Sequence, residues 1–307
     1  MSYVHFINES NKLSLNKPAN SDRVYYSELL EWFTNNAFRS FSIKFVVQGT
    51  IYYRCQYKEY KVQQDQFLLT SKQSGAQAYF DAKQTVKSIC IDICPASLAE
   101  AYTILCSKGD LDLDNFMAGY FDHPYFFEHV YNVQESLFGK QLQKLSNALR
   151  NGQYHPEMIN DEWFLQLVEL IILQEKGNYL SLNNIPAKKT ATRKEIYERL
   201  LQGKQYMDAY YSLNPDIATV AQNCSLSTFH FFRSFRQAFG ISPYQYMMQL
   251  RLKYALELMQ DENYSLTDIA SLCGFPDLFT FSKAFKREYG ISPGKYNISS
   301  NLQKFEA

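Results

Sequence analysis

The chain has 307 residues, 46% of them hydrophobic and 20% charged, with a formal net charge of zero. That is a globular composition with room for two cores. It excludes a membrane-spanning helix: the longest apolar run, Trp163–Leu173, is interrupted by Gln166 and Glu169 and falls short of the roughly 18 residues a span needs.

The opening segment MSYVHFINES has neither the basic nor the apolar region of a secretory signal, so a cytoplasmic location is expected. Five short runs rich in β-branched and aromatic residues follow: Phe41–Gly49, Thr50–Tyr57, Gln66–Ser71, Ala76–Phe80 and Val86–Cys94. The polar stretches YKEYK, QQD and KQSG separate them as turns, a spacing that predicts an antiparallel sandwich or barrel. A barrel interior suits a small molecule, and Tyr52, Tyr53, Tyr57, Tyr60, Tyr79 and Phe80 are candidates to line it. Arg39 and Arg54 are candidate carboxylate clamps. The narrowed effector-pocket set is Arg39, Tyr52, Arg54 and Tyr79.

After Pro95 the pattern turns helical, over Ala96–Ser107, Pro124–Leu149 and Glu162–Gln174. Leu165, Val168, Ile172 and Glu175 recur at helical spacing and read as core. Asp110, Asp112 and Asp114 lack the glycine and closing glutamate of a calcium loop, so they read as a solvated acidic loop. The six cysteines show no CxxC pair and are expected to be reduced. None of the five histidines falls among the predicted strands, which argues against a metal, and no cofactor is expected. Residues 177–191, with turn formers, a proline and two lysines, read as a linker between a domain at 1–176 and a second at 192–307.

Charge divides along the same line. Residues 1–187 carry 16 Lys+Arg against 20 Asp+Glu, a balance of −4, and residues 188–307 carry 15 against 11, a balance of +4. The modest excess falls on the half that contains a repeat and permits an anionic partner there. RSFRQAFGISPYQY at Arg233–Tyr246 and KAFKREYGISPGKY at Lys283–Tyr296 share six of fourteen positions and lie fifty residues apart. Each copy holds an amphipathic helix, a glycine C-cap, an isoleucine folding back, and Ser-Pro starting the next element. Further starts are expected at Asn214-Pro215 and at Ser265 with Asp268, a variant capping box. A shorter helix precedes each copy, with Val220-Ala221 or Ile269-Ala270 three residues before a cysteine. The copies therefore form two helix-turn-helix units, about 214–240 and 265–290, joined by the helix at Pro243–Gln260.

On an ideal helix, Phe231, Phe235 and Phe239 form one face of the first probe, and Phe281, Phe285 and Tyr289 form that of the second; these faces are core. The opposite faces carry Phe229, Arg233 and Arg236, then Phe279, Lys283, Lys286 and Arg287. Arg233 and Lys283 share a register and have the reach for guanine O6 and N7. Arg236, Lys286 and Arg287 suit phosphate contact, which positions the protein on double-stranded DNA.

Residues 192–297 resemble the DNA-binding domain of the AraC/XylS family of bacterial transcription regulators, and Ser265–Tyr296 carries the family's signature pattern. By position, the resemblance implies base-reading by Phe229, Phe232, Arg233, Leu278, Phe279, Ser282 and Lys283. Phe279 and Leu278 depart from the family, which favours small or polar residues there. They predict either thymine methyls beneath these side chains or packing against protein, with the second unit gripping backbone only. The resemblance also implies a cupin-like domain ahead of the DNA-binding one, a homodimer through the preceding helices, and RNA polymerase as a partner if the protein activates. The expected fold class is α+β: an N-terminal antiparallel β-barrel or cupin-like domain with helices, then an all-α DNA-binding domain. The leading function is a transcription regulator responding to an unidentified small-molecule effector. The alternatives are a ligand-independent DNA-binding protein whose front half only dimerises, or a cupin-type enzyme, for which no catalytic set is found.

Overall fold

A computed structural model describes residues 3–12, 21–55, 58–72, 75–107, 129–261 and 263–296. The architecture is α+β, and the chain divides into compact units at 1–179 and 180–307. Asp110, Asp112, Asp114 and Tyr57 lie outside the described residues.

The first unit is built on one eight-stranded sheet: β1 (Val4–Ile7), β2 (Arg23–Thr34), β3 (Phe41–Gln48), β4 (Thr50–Cys55), β5 (Lys58–Gln63), β6 (Gln66–Thr70), β7 (Gln77–Ile93) and β8 (Val130–Asn132). The order is β1-β2-β7-β3-β6-β8, with β4 pairing both β5 and β7. Among the described residues all ladders are antiparallel except β1 with β2, and none closes the sheet into a ring. The organising element is β7, which the sequence presents as two strands. It is continuous over 17 residues and pairs β2 along most of its length. Its other edge is shared, with β4 beside Gln77–Tyr79 and β3 beside Lys87–Ile93.

Three sequence expectations need correction. Within YKEYK, Lys58–Lys61 are not a turn but the start of β5, in which Tyr60 and Val62 point inward and Glu59, Lys61 and Gln63 outward. Its charged outer face disguises a half-buried strand. The stretch at Pro124–Leu149 is not one helix. Where described, it holds β8, a 3₁₀ turn at Val133–Glu135 and only then a helix from Gly139. The segment 177–191 is not linker throughout, because the helix Asp161–Asn183 runs through Gly177. Strong helix formers carry it past that glycine. It stops before Ile185-Pro186, where a proline disfavours helical backbone in the residue ahead of it.

The helices are α1 (Pro95–Ser107), α2 (Gly139–Arg150), α3 (Asp161–Asn183), α4 (Thr190–Tyr210), α5 (Ile217–Asn223), α6 (Thr228–Phe239), α7 (Pro243–Leu258), α8 (Leu266–Leu272) and α9 (Leu278–Tyr289). Val168, Ile172 and Glu175 of α3 are buried in the core of their own unit, and Glu175 accepts hydrogen bonds from Tyr131 and Asn178. That stripe therefore offers no ready dimer face. None of the described helices is long and apolar enough to cross a membrane, and none of the six cysteines forms a disulfide.

The second unit is all-helical, and its caps explain its boundaries. Ser227 and Asp277 accept hydrogen bonds from the backbone N–H groups of His230 and Thr280 at the starts of α6 and α9. Gly240 and Gly290 end the same helices at φ 75° and 79°, a left-handed cap that a side chain would strain. Ser242 with Gln245 and Ser265 with Asp268 form full capping boxes. Asn214 does not start α5 as expected. It sits left-handed at φ 53° after a 3₁₀ turn, and Asp216 is the cap. Asparagine tolerates that conformation, whereas Asp216 is placed to accept the Thr219 N–H at 2.6 Å.

Candidate nucleic-acid interface and cavity

Helices α5 and α6 form one helix-turn-helix, α8 and α9 the other. Ala221 and Ala270, on the first helix of each pair, are 0% and 1% exposed. Phe231, Phe235, Phe281 and Phe285 are fully buried, and their rings meet in tilted or edge contacts at 5.5 Å and 5.6 Å. With the core faces fixed this way, the helical period turns the opposite faces outward.

Those outer faces match position for position. Phe229 and Phe279, fifty residues apart, are each 76% exposed, and Leu278 is 38% exposed. Arg233, Arg236, Lys283, Lys286 and Arg287 are exposed, while Phe232 and Ser282 are half-buried on the same side. So bulky apolar groups stand in water at the start of α6 and of α9, and cations follow at one-turn intervals. At the starts of α5 and α9 the N–H groups of Thr219 and Thr280 donate to the capping carboxyls of Asp216 and Asp277 and hold them below the usual carboxylate range.

The rod between the units is α7, whose 16 residues span about 24 Å. Sequence reasoning took it for a spacer and missed Arg251. This guanidinium is 6% exposed and donates to three acceptors. They are the Tyr211 carbonyl at 2.9 Å, Asn214 Oδ1 at 2.5 Å and the Gly274 carbonyl at 3.4 Å. The first two precede α5 and the third lies in the turn between α8 and α9, so one side chain fastens both units to the rod. A single cation among the Leu and Met residues of this helix does not tell which acceptors folding will bring to it.

The first unit contains a small cavity, about 70 Å³ of water-accessible space, between β2, β3, β4 and β7. Arg39 lines it, together with Tyr25, Trp32, Lys44, Tyr53, Phe80 and Cys90. The structure does not bring Tyr52, Arg54 and Tyr79 to it. Side chains on a strand alternate between faces, and Tyr53, Ala78 and Phe80 take the inner positions. Outside, Arg54 donates to Glu59 at 2.7 Å and to the Tyr79 hydroxyl at 3.1 Å, Tyr79 also bonds Glu59, and Tyr52 stacks on Tyr79 at 5.5 Å. Those three form a surface cluster.

Lys44 is buried; its Nζ lies 3.0 Å from Cys90 Sγ and 3.9 Å from Asp92 Oδ1. Burial works to lower the Lys44 pKa, but the neighbouring Cys90 and Asp92 outweigh it and the net shift is upward. Burial, aided by Asp92, pushes the Cys90 thiol up to about 11. No group of three or more metal-ligating side chains converges among the described residues.

Two helix-turn-helix units with exposed, cation-flanked second helices on one rod define a DNA-binding regulator. Residues 220–298 match the family model described as a helix-turn-helix domain. The chain is 24% identical over 270 residues to the uncharacterized HTH-type transcriptional regulator YbfI of Bacillus subtilis, covering 88% of this chain and 89% of that one. It is 31% identical over 144 residues to the HTH-type transcriptional activator RhaS of an Enterobacter species, 47% of each chain. Among solved structures, fatty-acid-bound ToxT of Vibrio cholerae aligns over 92% of this chain and 96% of its own, at 14% identity and a TM-score of 0.38. The family-model match covers the helix-turn-helix region of the second unit only, about a quarter of the chain. The curated relatives are regulators, not enzymes.

Proposed function

We propose that the protein reads a two-segment site on double-stranded DNA with α6 and α9, and that a small-molecule effector in the cavity biases that reading. Phe229, Phe232, Arg233, Leu278, Phe279, Ser282 and Lys283 face base edges in this reading, and Arg236, Lys286 and Arg287 face phosphates. The observation that carries it is the matched exposure of Phe229 and Phe279, 76% each, at the same register of two capped helices whose other faces are core. Exposed apolar side chains ringed by charge mark interaction surfaces, and apolar contact is how a protein reads a thymine methyl. Paired major-groove readers sit about 34 Å apart along the duplex, one helical turn.

The hollow interior of the first unit favours effector control over a front half that only dimerises. An effector acts by favouring one presentation of the DNA-binding unit over another. RNA polymerase joins the scheme as a partner of an activating form, and homodimerisation is carried from the family, not from an unfilled face of α3. The test is selection of bound sequences from a random DNA pool with the full chain at several salt concentrations. The expected result is two half-sites one turn apart with thymines in each. A single short half-site would reduce α9 to a backbone clamp and refute dual reading.

A further inference from the structure

The two probe helices match in their cations and differ on one flank. Fifty residues separate corresponding positions of the two units, so Arg236 corresponds to Lys286, Phe232 to Ser282 and Tyr244 to Gly294. Tyr244 is 59% exposed, and its ring lies 6.3 Å from that of Phe232, centre to centre. Phe232 is half-buried on the outward side of α6, so Tyr244 widens that side by one ring. Its backbone is fixed in place, because Ser242 and Gln245 form the capping box of α7 and Pro243 takes the first helical position. Among the described residues no hydrogen bond holds the Tyr244 hydroxyl.

The second unit is bare at the same flank. A Cβ built on Gly294 would meet only Leu266 Cδ1, at an ordinary 3.7 Å, so packing does not forbid a side chain there. Nor does packing demand Tyr244, whose ring stands mostly in water. Groove dimensions place that ring. The major groove is about 12 Å wide and a helix with its side chains is about 10–12 Å across, so α6 fills it. A ring attached to the flank of α6 then falls at the rim, where the phosphates run. Tyrosine is among the side chains that donate to phosphate oxygens, and it suits a place that is apolar on one side and wet at its tip.

We infer that Tyr244 is a DNA contact belonging to the first unit alone: its hydroxyl donates to a backbone phosphate beside the groove that α6 reads, and its ring holds Phe232 against the bases. This rests on the reading of α6 as a major-groove probe, and it makes the grip on the two half-sites unequal in kind.

The probe is the duplex recovered from the random pool, made with one phosphate at a time replaced by an uncharged methylphosphonate and titrated with the full chain by fluorescence anisotropy. Tyr244→Phe keeps the ring and removes the donor. It should weaken binding about tenfold, as loss of a hydrogen bond to a charged acceptor warrants. The salt slope should not change, because a neutral donor displaces no counterion. One methylphosphonate beside the α6 half-site should weaken the wild type and leave Tyr244→Phe unaffected, while those beside the α9 half-site should weaken both alike. Tyr244→Ala should in addition relax the base preference beneath Phe232. Wild-type affinity in Tyr244→Phe, or a wild-type methylphosphonate profile, overturns the phosphate contact and leaves the DNA-reading function standing. An unchanged base preference in Tyr244→Ala overturns the support of Phe232. A wild-type chain that recovers no sequence from the pool overturns both the contact and the function.

Discussion

Arg251→Met tests whether one buried guanidinium holds the two helix-turn-helix units in register. Methionine keeps most of the side-chain volume and removes all three donors. The bonds to the Tyr211 carbonyl at 2.9 Å and Asn214 Oδ1 at 2.5 Å are full hydrogen bonds, and that to Gly274 at 3.4 Å is marginal. A hydrogen bond from a charged donor contributes about 1.5–3 kcal/mol. Two such bonds give about 3–6 kcal/mol, from which the cost of burying the cation must be subtracted. That cost shows in the Arg251 pKa, which burial lowers. The acceptors regain water in part, since Tyr211 and Gly274 are half-buried and Asn214 is exposed. A net loss of about 3 kcal/mol follows. It is read by amide hydrogen exchange on the full chain, where the slowest amides of α8 and α9 should exchange roughly a hundredfold faster. DNA binding adds a second readout: affinity for a two-segment site should fall more than affinity for either half-site alone. Exchange accelerated by less than about fivefold, or equal losses on full and half sites, would refute the idea that Arg251 couples the units.

Arg233→Ala should cost about 1–3 kcal/mol at one base pair and relax specificity there, measured by competition against single-base variants; a loss uniform over all sequences makes Arg233 a phosphate contact. Lys286→Ala should weaken binding to every sequence and lower the salt slope by about one unit, and an unchanged slope removes it from the footprint. Phe279→Ala should leave thermal stability within about 0.5 kcal/mol because the ring is exposed. In the wild type, replacing the thymine beneath Phe279 by uracil should cost about fourfold in affinity, the value of one buried methyl; indifference to every such replacement rejects methyl reading. Ser225 follows Cys224 in the first turn with φ 56°, the position Gly274 holds at φ 76° in the second. Ser225→Gly should therefore stabilise the unit by about 0.5 kcal/mol, because relief of left-handed strain of about 1–2 kcal/mol exceeds the entropy glycine adds to the unfolded chain. A lowered melting temperature would contradict this.

The parts of this protein that the sequence by itself determined are those whose physics is local. The paired GISP endings, the caps and the 3.6-residue spacing of Phe231 with Phe235 and Phe281 with Phe285 specify both helix-turn-helix units within about 25 residues each. Once a core face is known, helical geometry alone turns Phe229 and Phe279 outward. The sheet is different, because its register depends on partners far along the chain. Nothing between Gln77 and Ile93 tells that one strand serves β4 at one end and β3 at the other. A strand also changes face at every residue, so only the pairing of β4 with β7 decides that Tyr53 lines the cavity while Tyr52 and Arg54 lie outside. Lys44 and Arg251 were invisible for the same reason. Each is one cation within an apolar stretch, and its meaning lies in what folding carries to it: Cys90 and Asp92 across the sheet for one, the Tyr211 and Gly274 carbonyls across the rod for the other.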